Sequence, residues 1–200
     1  VTPALLQQAH PAGHGGYTPE EPYRMGAEQW GAVCNWTAQI GWPIVFGINL
    51  LSNRTGGPNH TDHWVADNAV SLIAYTSTHH AGAVAGWELG NEPEGWLRNF
   101  GFSLSNDEIA ADFARLRSLL RSEFSASNYL IFGPDQGIQG CLKSDSCTKY
   151  AELVATLVRE GSIDASTFHF CKRTRASTSD PCCAVLPRAD PELVLIKYVC

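Results

Sequence analysis

Two rhythms alternate along this chain. From about Arg24 to Gln39, Met25, Trp30, Val33, Cys34 and Ala38 recur at helical spacing, and Gly41 follows as a stop. Pro43-Ile-Val-Phe-Gly-Ile-Asn-Leu-Leu51 is instead an almost continuous apolar run, too short for a helix, and reads as a buried parallel strand. A polar Gly/Pro/Asn loop from Ser52 to Thr61 leads to a second helical stripe, Trp64 to Thr78, carried by Val65, Ala69, Leu72, Ile73 and Tyr75. Ala83–Gly90 is again strand-like. Ser105-Asn106-Asp107-Glu108 has capping-box spacing and opens a helix to about Phe124 that buries Ile109, Phe113, Leu116, Leu119 and Leu120. Asn128–Gly133 predicts a third strand, and 145–160 a helix closed by Gly161, where a left-handed backbone costs glycine little. Ser166–Phe170 predicts a fourth strand.

Strands alternating with amphipathic helices imply a parallel sheet covered by helices, the α/β class. An open doubly wound sheet and a (β/α)8 (TIM) barrel compete. No Gly-x-Gly-x-x-Gly follows the first strand, and Gly56-Gly57-Pro58 lacks the Lys-Ser/Thr of a phosphate loop, so the barrel gains. Four strand-helix units between Pro43 and Phe170 scale to about 256 residues for eight, close to the roughly 250 of that fold. The expectation is a partial barrel over 23–170, about strands 3 to 6 with their helices, preceded by a loop-rich segment over 1–22. Half a barrel on its own exposes sheet edges and is expected to be poorly stable. There is no initiator Met and no signal-like segment at position 1, so the chain reads as an excerpt.

Charge narrows the function. Fourteen Lys+Arg against twenty Asp+Glu leave a net charge of −6, and the one basic run, Lys172-Arg173-Thr174-Arg175, is too short for general nucleic-acid binding. No stretch approaches the roughly 20 apolar residues of a membrane span, though peripheral association stays open. The sequons at Asn35, Asn53 and Asn59 suggest N-glycosylation, and Cys141 and Cys147 bracket a short loop and could pair, so a secretory-pathway location is expected: extracellular, lysosomal or vacuolar, or membrane-peripheral. Of seven cysteines, Cys171, Cys182, Cys183 and Cys200 fall in the last thirty residues, and 171–200 reads as a divergent Cys-rich tail. It is either the translation of a wrong frame or of a retained intron, or a genuine variant. His60-Thr-Asp-His63 and His79-His80 lack a full four-ligand spacing, so neither a metal nor another cofactor is expected.

The chemistry concentrates in Trp87-Glu88-Leu89-Gly90-Asn91-Glu92-Pro93, where a strand gives way to a loop. In a (β/α)8 barrel, the C-terminal strand ends present catalytic side chains. Glu92, followed by a proline of fixed φ, suits general acid/base work on a glycosidic oxygen; the bland alternative is an exposed Glu in a turn. Glu88 shares strand parity with Glu92 and, if it points inward, needs a partner; it reads as structural.

Gly86-Trp-Glu-Leu-Gly-Asn-Glu-Pro93 resembles the acid/base strand of heparanase-like enzymes, glycoside hydrolase family 79, retaining glycosidases on (β/α)8 barrels. Val45-Phe-Gly-Ile-Asn-Leu-Leu51 looks like the preceding strand, Phe132-Gly-Pro-Asp-Gln-Gly137 like the following one, and Thr167-Phe-His169 like the start of the next. The resemblance covers roughly Trp30 to Phe170. It implies Glu92 as proton donor, Asn91 on the sugar 2-hydroxyl, and Asn49, Asp135 and His169 lining the pocket. Each of the last three has a structural alternative: a strand-end cap for Asn49, a turn after Pro134 for Asp135, a satisfied core histidine for His169. The implied activity is that of a retaining endo- or exo-β-glucuronidase, acting on a glycan or proteoglycan with a β-linked uronic acid. The net charge gives no sign of a basic groove for a sulfated one.

A retaining enzyme needs a second carboxylate about 5–5.5 Å away as nucleophile. Glu94 shares the loop of Glu92, Glu108, Glu123, Glu152 and Glu160 fall at or within helices, and Glu192 precedes an apolar run, so no nucleophile is assigned in this chain. A catalytically inactive sugar-binding or scaffold remnant, and another retaining family of the same clan, are the alternatives.

Overall fold

The computed structural model describes residues 7–8, 23–51, 54, 63–97, 102–137, 146–169 and 196–197. The elements are β1 (Gln7–Gln8), β2 (Tyr23–Arg24), α1 (Ala27–Ile40), β3 (Ile44–Ile48), α2 (Asp67–His79), β4 (Val84–Leu89), α3 (Asn106–Glu123), β5 (Leu130–Gly137), α4 (Ser146–Arg159), β6 (Ala165–His169) and β7 (Ile196–Lys197). A 3-10 turn, Pro93–Gly95, follows β4. β1 and β2 form an antiparallel pair. The remaining strands make one sheet in the order β3-β4-β5-β6-β7, with every pairing parallel. Spatial order equals chain order, without the reversal that marks a doubly wound sheet, so the fold is that of a partial (β/α)8 barrel.

The helices begin and end where local chemistry allows. The Ser105 hydroxyl accepts the Glu108 N–H at 3.2 Å, and the Glu108 carboxylate accepts the Ser105 N–H at 2.6 Å, which satisfies two orphan donors of α3. Gly41 closes α1 at φ 71° and Gly161 follows α4 at φ 64°, left-handed positions that side chains resist.

Helix-facing side chains of the sheet form an aromatic core. Trp30 of α1 meets Phe46 of β3 edge-on at 4.7 Å, and Trp87 of β4 meets Tyr129 at 5.5 Å. Trp30 also donates its indole N–H to Thr76 of α2 at 2.9 Å. On β5, Gly133 leaves the space that the Phe113 ring of α3 fills, since a Cβ there would collide with it.

Two segments depart from the rhythm of the sequence. The stripe predicted to start a helix at Trp64 does so only at Asp67. Trp64 forms an isolated antiparallel bridge with Arg54 and donates its N–H to Asp112 of α3 at 3.2 Å. Asp112 also binds Arg54 at 2.7 Å, with both side chains buried, so its carboxylate holds the Trp64 N–H and Arg54 together. β5 starts at Leu130 rather than Asn128, whose backbone is left-handed at φ 50°, and it runs past Pro134 to Gly137. Asp135 therefore stands inside the strand, not in a turn beyond it.

Candidate active site

Beyond β4 the chain is tied down residue by residue. The Gly90 N–H donates to the Ile48 carbonyl at 2.9 Å, with φ at 86°, and a Cβ there would press to 3.1 Å on Leu50. The Asn91 carbonyl accepts the Trp96 indole N–H at 2.9 Å, and the residue is exposed. Glu92 is half-buried with a left-handed backbone, φ 43° and ψ 54°, a conformation that costs a non-glycine residue roughly 1–2 kcal/mol. Two bonds hold it: its N–H donates to the Asp135 carbonyl at 2.8 Å, and its carbonyl accepts the Gly95 N–H at 2.9 Å. Pro93, buried, starts the 3-10 turn.

The neighbouring strand end is shaped to receive this loop. The Gly137 N–H donates to the Glu94 carboxylate at 2.7 Å. A Cβ on Gly137 would stand 2.5 Å from Glu94 Oε1 and 3.2 Å from Glu92 Oε1, so both carboxyl groups lie over this glycine. Asp135 has φ 51° and is 3 % exposed. The β5–β6 register slips between Pro134 and Gln136, which makes Asp135 the extra residue of a bulge. Its N–H donates to the Thr167 hydroxyl at 3.2 Å, and Thr167 donates to Glu88 at 2.5 Å. Glu88 is 4 % exposed and has the partner that an inward carboxylate requires.

The predicted residues thus sit at the C-terminal ends of four consecutive parallel strands. Asn49 follows β3, is half-buried and accepts the Trp64 indole N–H on its carbonyl at 3.1 Å. Asn91 and Glu92 follow β4, and Asp135 lies near the C-terminal end of β5. His169 ends β6, where its backbone stands in register with Gly137; its side chain is outside the described residues. Cys141, Asn53, Asn59 and the His60-Thr-Asp stretch also fall outside, as does the side chain of Cys147. Asn35 is exposed on α1. Among the described residues, no three or more His, Cys, Asp or Glu gather as a metal site.

Sequence reasoning did not single out Thr167, Gly137 or Tyr150. Thr167 was accessible through parity, two residues before His169 on the same strand face. Tyr150 of α4 carries no local signal. Its hydroxyl lies 2.7 Å from that of Ser166 on the helix side of β6, and burial pushes the phenol above its usual range, helped by the negative charge of Asp135.

A parallel sheet wound in chain order, with a carboxyl side chain carried just past a strand's C-terminal end, is the architecture of a (β/α)8-barrel enzyme. The family model described as glycosyl hydrolase family 79, N-terminal domain, matches residues 21–172, and the chain belongs to that family. This sets aside the alternative of another family in the clan. Heparanase of Bos taurus is 35% identical over 98 residues, covering 48% of this chain and 16% of that protein. Heparanase of Mus musculus is 31% identical over 132 residues, 64% of this chain and 22% of the relative. Inactive heparanase-2 of Homo sapiens is 29% identical over 97 residues, 48% of this chain and 15% of the relative. The chain therefore spans less than a quarter of the length of these curated relatives. Among solved structures, N2152 from Neocallimastix frontalis aligns with a TM-score of 0.43 and 16% identity, over 68% of this chain and 32% of that one.

Proposed function

We propose that Glu92 is the proton donor of a retaining β-glucuronidase that acts on a glycan or proteoglycan carrying a β-linked uronic acid. The observation that carries this reading is the seat of Glu92: past the end of β4, backbone pinned to Asp135 of β5, carboxyl over the bare Gly137. In the first step Glu92 protonates the glycosidic oxygen as the bond to the anomeric carbon breaks. In the second it takes a proton from the water that releases the sugar. Asn91, exposed beside it, hydrogen-bonds the sugar 2-hydroxyl, a contact that strengthens as positive charge develops on the ring. Asn49 and His169 line the walls on β3 and β6, and Asp135 supports the floor between them.

No nucleophile is assigned among these 200 residues. Among the described glutamates after Glu92, Glu94 shares its turn, Glu108, Glu123 and Glu152 lie in helices, and Glu160 follows one. The setting is the secretory pathway, which Asn35 on the exposed face of α1 supports. Among the described residues, no helix is long and apolar enough to cross a membrane.

A chromogenic β-glucuronide tests the assignment. The 200-residue chain is expected to show no turnover, and a protein extended to carry the nucleophile is expected to turn over. Glu92→Gln then lowers that turnover about 10²–10⁴-fold. Undiminished turnover in Glu92→Gln sinks the assignment. A second reading, a sugar-binding protein without turnover, is favoured by the similarity to a relative named as inactive. It predicts that the extended protein retains a β-glucuronide-containing oligosaccharide without cleaving it.

A further inference from the structure

The interior face of the sheet carries a run of hydrogen bonds that starts at a buried carboxylate and ends on the backbone of Glu92. Glu88 on β4 accepts from the Thr167 hydroxyl on β6, Thr167 accepts from the Asp135 N–H on β5, and the Asp135 carbonyl accepts from the Glu92 N–H after β4. Glu88, Thr167 and Asp135 are 4 %, 0 % and 3 % exposed, so bulk water does not compete for these bonds.

The direction of the run follows from proton counting. A threonine hydroxyl has one proton to give and lone pairs to receive. The Asp135 N–H can only donate, so the Thr167 oxygen is the acceptor on that side and its proton goes to Glu88. The carboxylate thereby orients the hydroxyl, aiming a lone pair at the bulge. Pro134 and Gln136 take the ladder positions opposite Thr167 and Phe168, so Asp135 is the extra residue of the bulge, and its N–H goes to the Thr167 hydroxyl. With its N–H anchored, Asp135 holds a left-handed backbone, and its carbonyl meets Glu92, which is left-handed as well.

We propose that Thr167, oriented by Glu88, is a positioning residue for Glu92: it fixes the Asp135 bulge whose carbonyl sets the Glu92 backbone, and so the place of the carboxyl over Gly137. The geometric claim is independent of the chemistry; only its catalytic consequence rests on Glu92 being the proton donor.

Amide hydrogen exchange on the ¹⁵N-labelled protein separates the two. In Thr167→Val the Asp135 and Glu92 amides are expected to exchange about tenfold faster or more, because a buried donor has lost its acceptor. The Ile109 and Trp30 amides, on α3 and α1, keep their rates. Thr167→Ser, which restores the hydroxyl, returns Asp135 and Glu92 to wild-type protection. Glu88→Leu, which leaves the hydroxyl but removes its acceptor, accelerates the same two amides by a smaller factor and keeps the test available if the valine variant does not fold. Unchanged rates at Asp135 and Glu92, equal acceleration of all amides, or failure of serine to rescue overturns the proposal. If the exchange pattern holds while Glu92→Gln keeps its turnover in the extended protein, the positioning stands and the proton-donor reading falls. If both hold, Thr167→Val lowers kcat about tenfold with KM unchanged, as expected when a group acting in the transition state is displaced.

Discussion

The two faces of β4 follow different rules. Toward the helices it presents Trp87 and Leu89, both fully buried, with Trp87 ringed by Trp30, Phe46 and Tyr129. Toward the barrel interior it presents Gly86, which lies so close to β5 that a Cβ would collide with Phe132, and Glu88, whose partner comes from β6. One face is held by dispersion and apolar burial, which add up over many small contacts and tolerate no void. The other is held by a few directional bonds that fix where the strand ends point. The contrast separates what keeps the sheet together from what aims Glu92.

The largest expected effect is on the helix side. Trp87→Ala removes the centre of the aromatic cluster and is expected to cost about 3–5 kcal/mol, read from the urea midpoint. A finer comparison uses two glycines of one strand. Gly133→Ala drives a methyl into the Phe113 ring, packed between β5 and α3, and is expected to cost about 1–3 kcal/mol. Gly137→Ala meets the carboxyl ends of Glu94 and Glu92, which swing aside, so stability changes by less than about 0.5 kcal/mol. Its effect appears instead as loss of β-glucuronide turnover in the extended protein. Equal destabilisation by the two alanines would erase the distinction between the faces.

Smaller effects are expected at the α3 cap, which belongs to neither face. Ser105→Ala removes the hydroxyl that accepts the Glu108 N–H and costs about 1 kcal/mol by the same urea measurement. Glu108 gives the smallest effect, and it depends on pH. The hydrogen bond from the Ser105 backbone holds its carboxyl below the ordinary value of 4.5, against an opposing push from partial burial. A group whose folded-state value is depressed stabilises the fold above its unfolded value and loses that contribution as pH falls through the folded value. Glu108→Gln is therefore expected to lower the urea midpoint slightly at neutral pH and to match wild type only in acid below the depressed folded-state value, itself lower than 4.5. A difference that persists in acid would point to packing rather than charge.

Much of the fold was legible in the residues themselves. The four strands between Ile44 and His169 and the helices between them follow the apolar rhythm, because a strand covered on both faces and an amphipathic helix leave different periods. The exceptions have identifiable causes. Trp64 and Val65 fit a helical stripe, yet Asp112 on another helix takes the Trp64 N–H. Pro134 reads as the end of a strand, yet β5 continues past it, since the Asp135 N–H finds Thr167 across the sheet. Of the candidate site, Glu92 and Asn91 were marked by their motif and strand parity. Thr167 and Gly137 gain meaning only when β5 and β6 lie side by side.

What the sequence determined by itself is what operates within a few residues: the alternation of periods, the Ser105–Glu108 cap, the glycines that close α1 and follow α4, and the carboxyl of Glu92 just beyond a strand. Those features depend on backbone sterics and neighbouring hydrogen bonds, which need no knowledge of the rest of the chain. The tertiary structure alone decided that Glu88 is matched with Thr167, 79 positions away, and that Glu92 rests on Asp135. Such pairings depend on sheet register, where a shift of one residue would turn Thr167 to the opposite face and leave Glu88 without this bond.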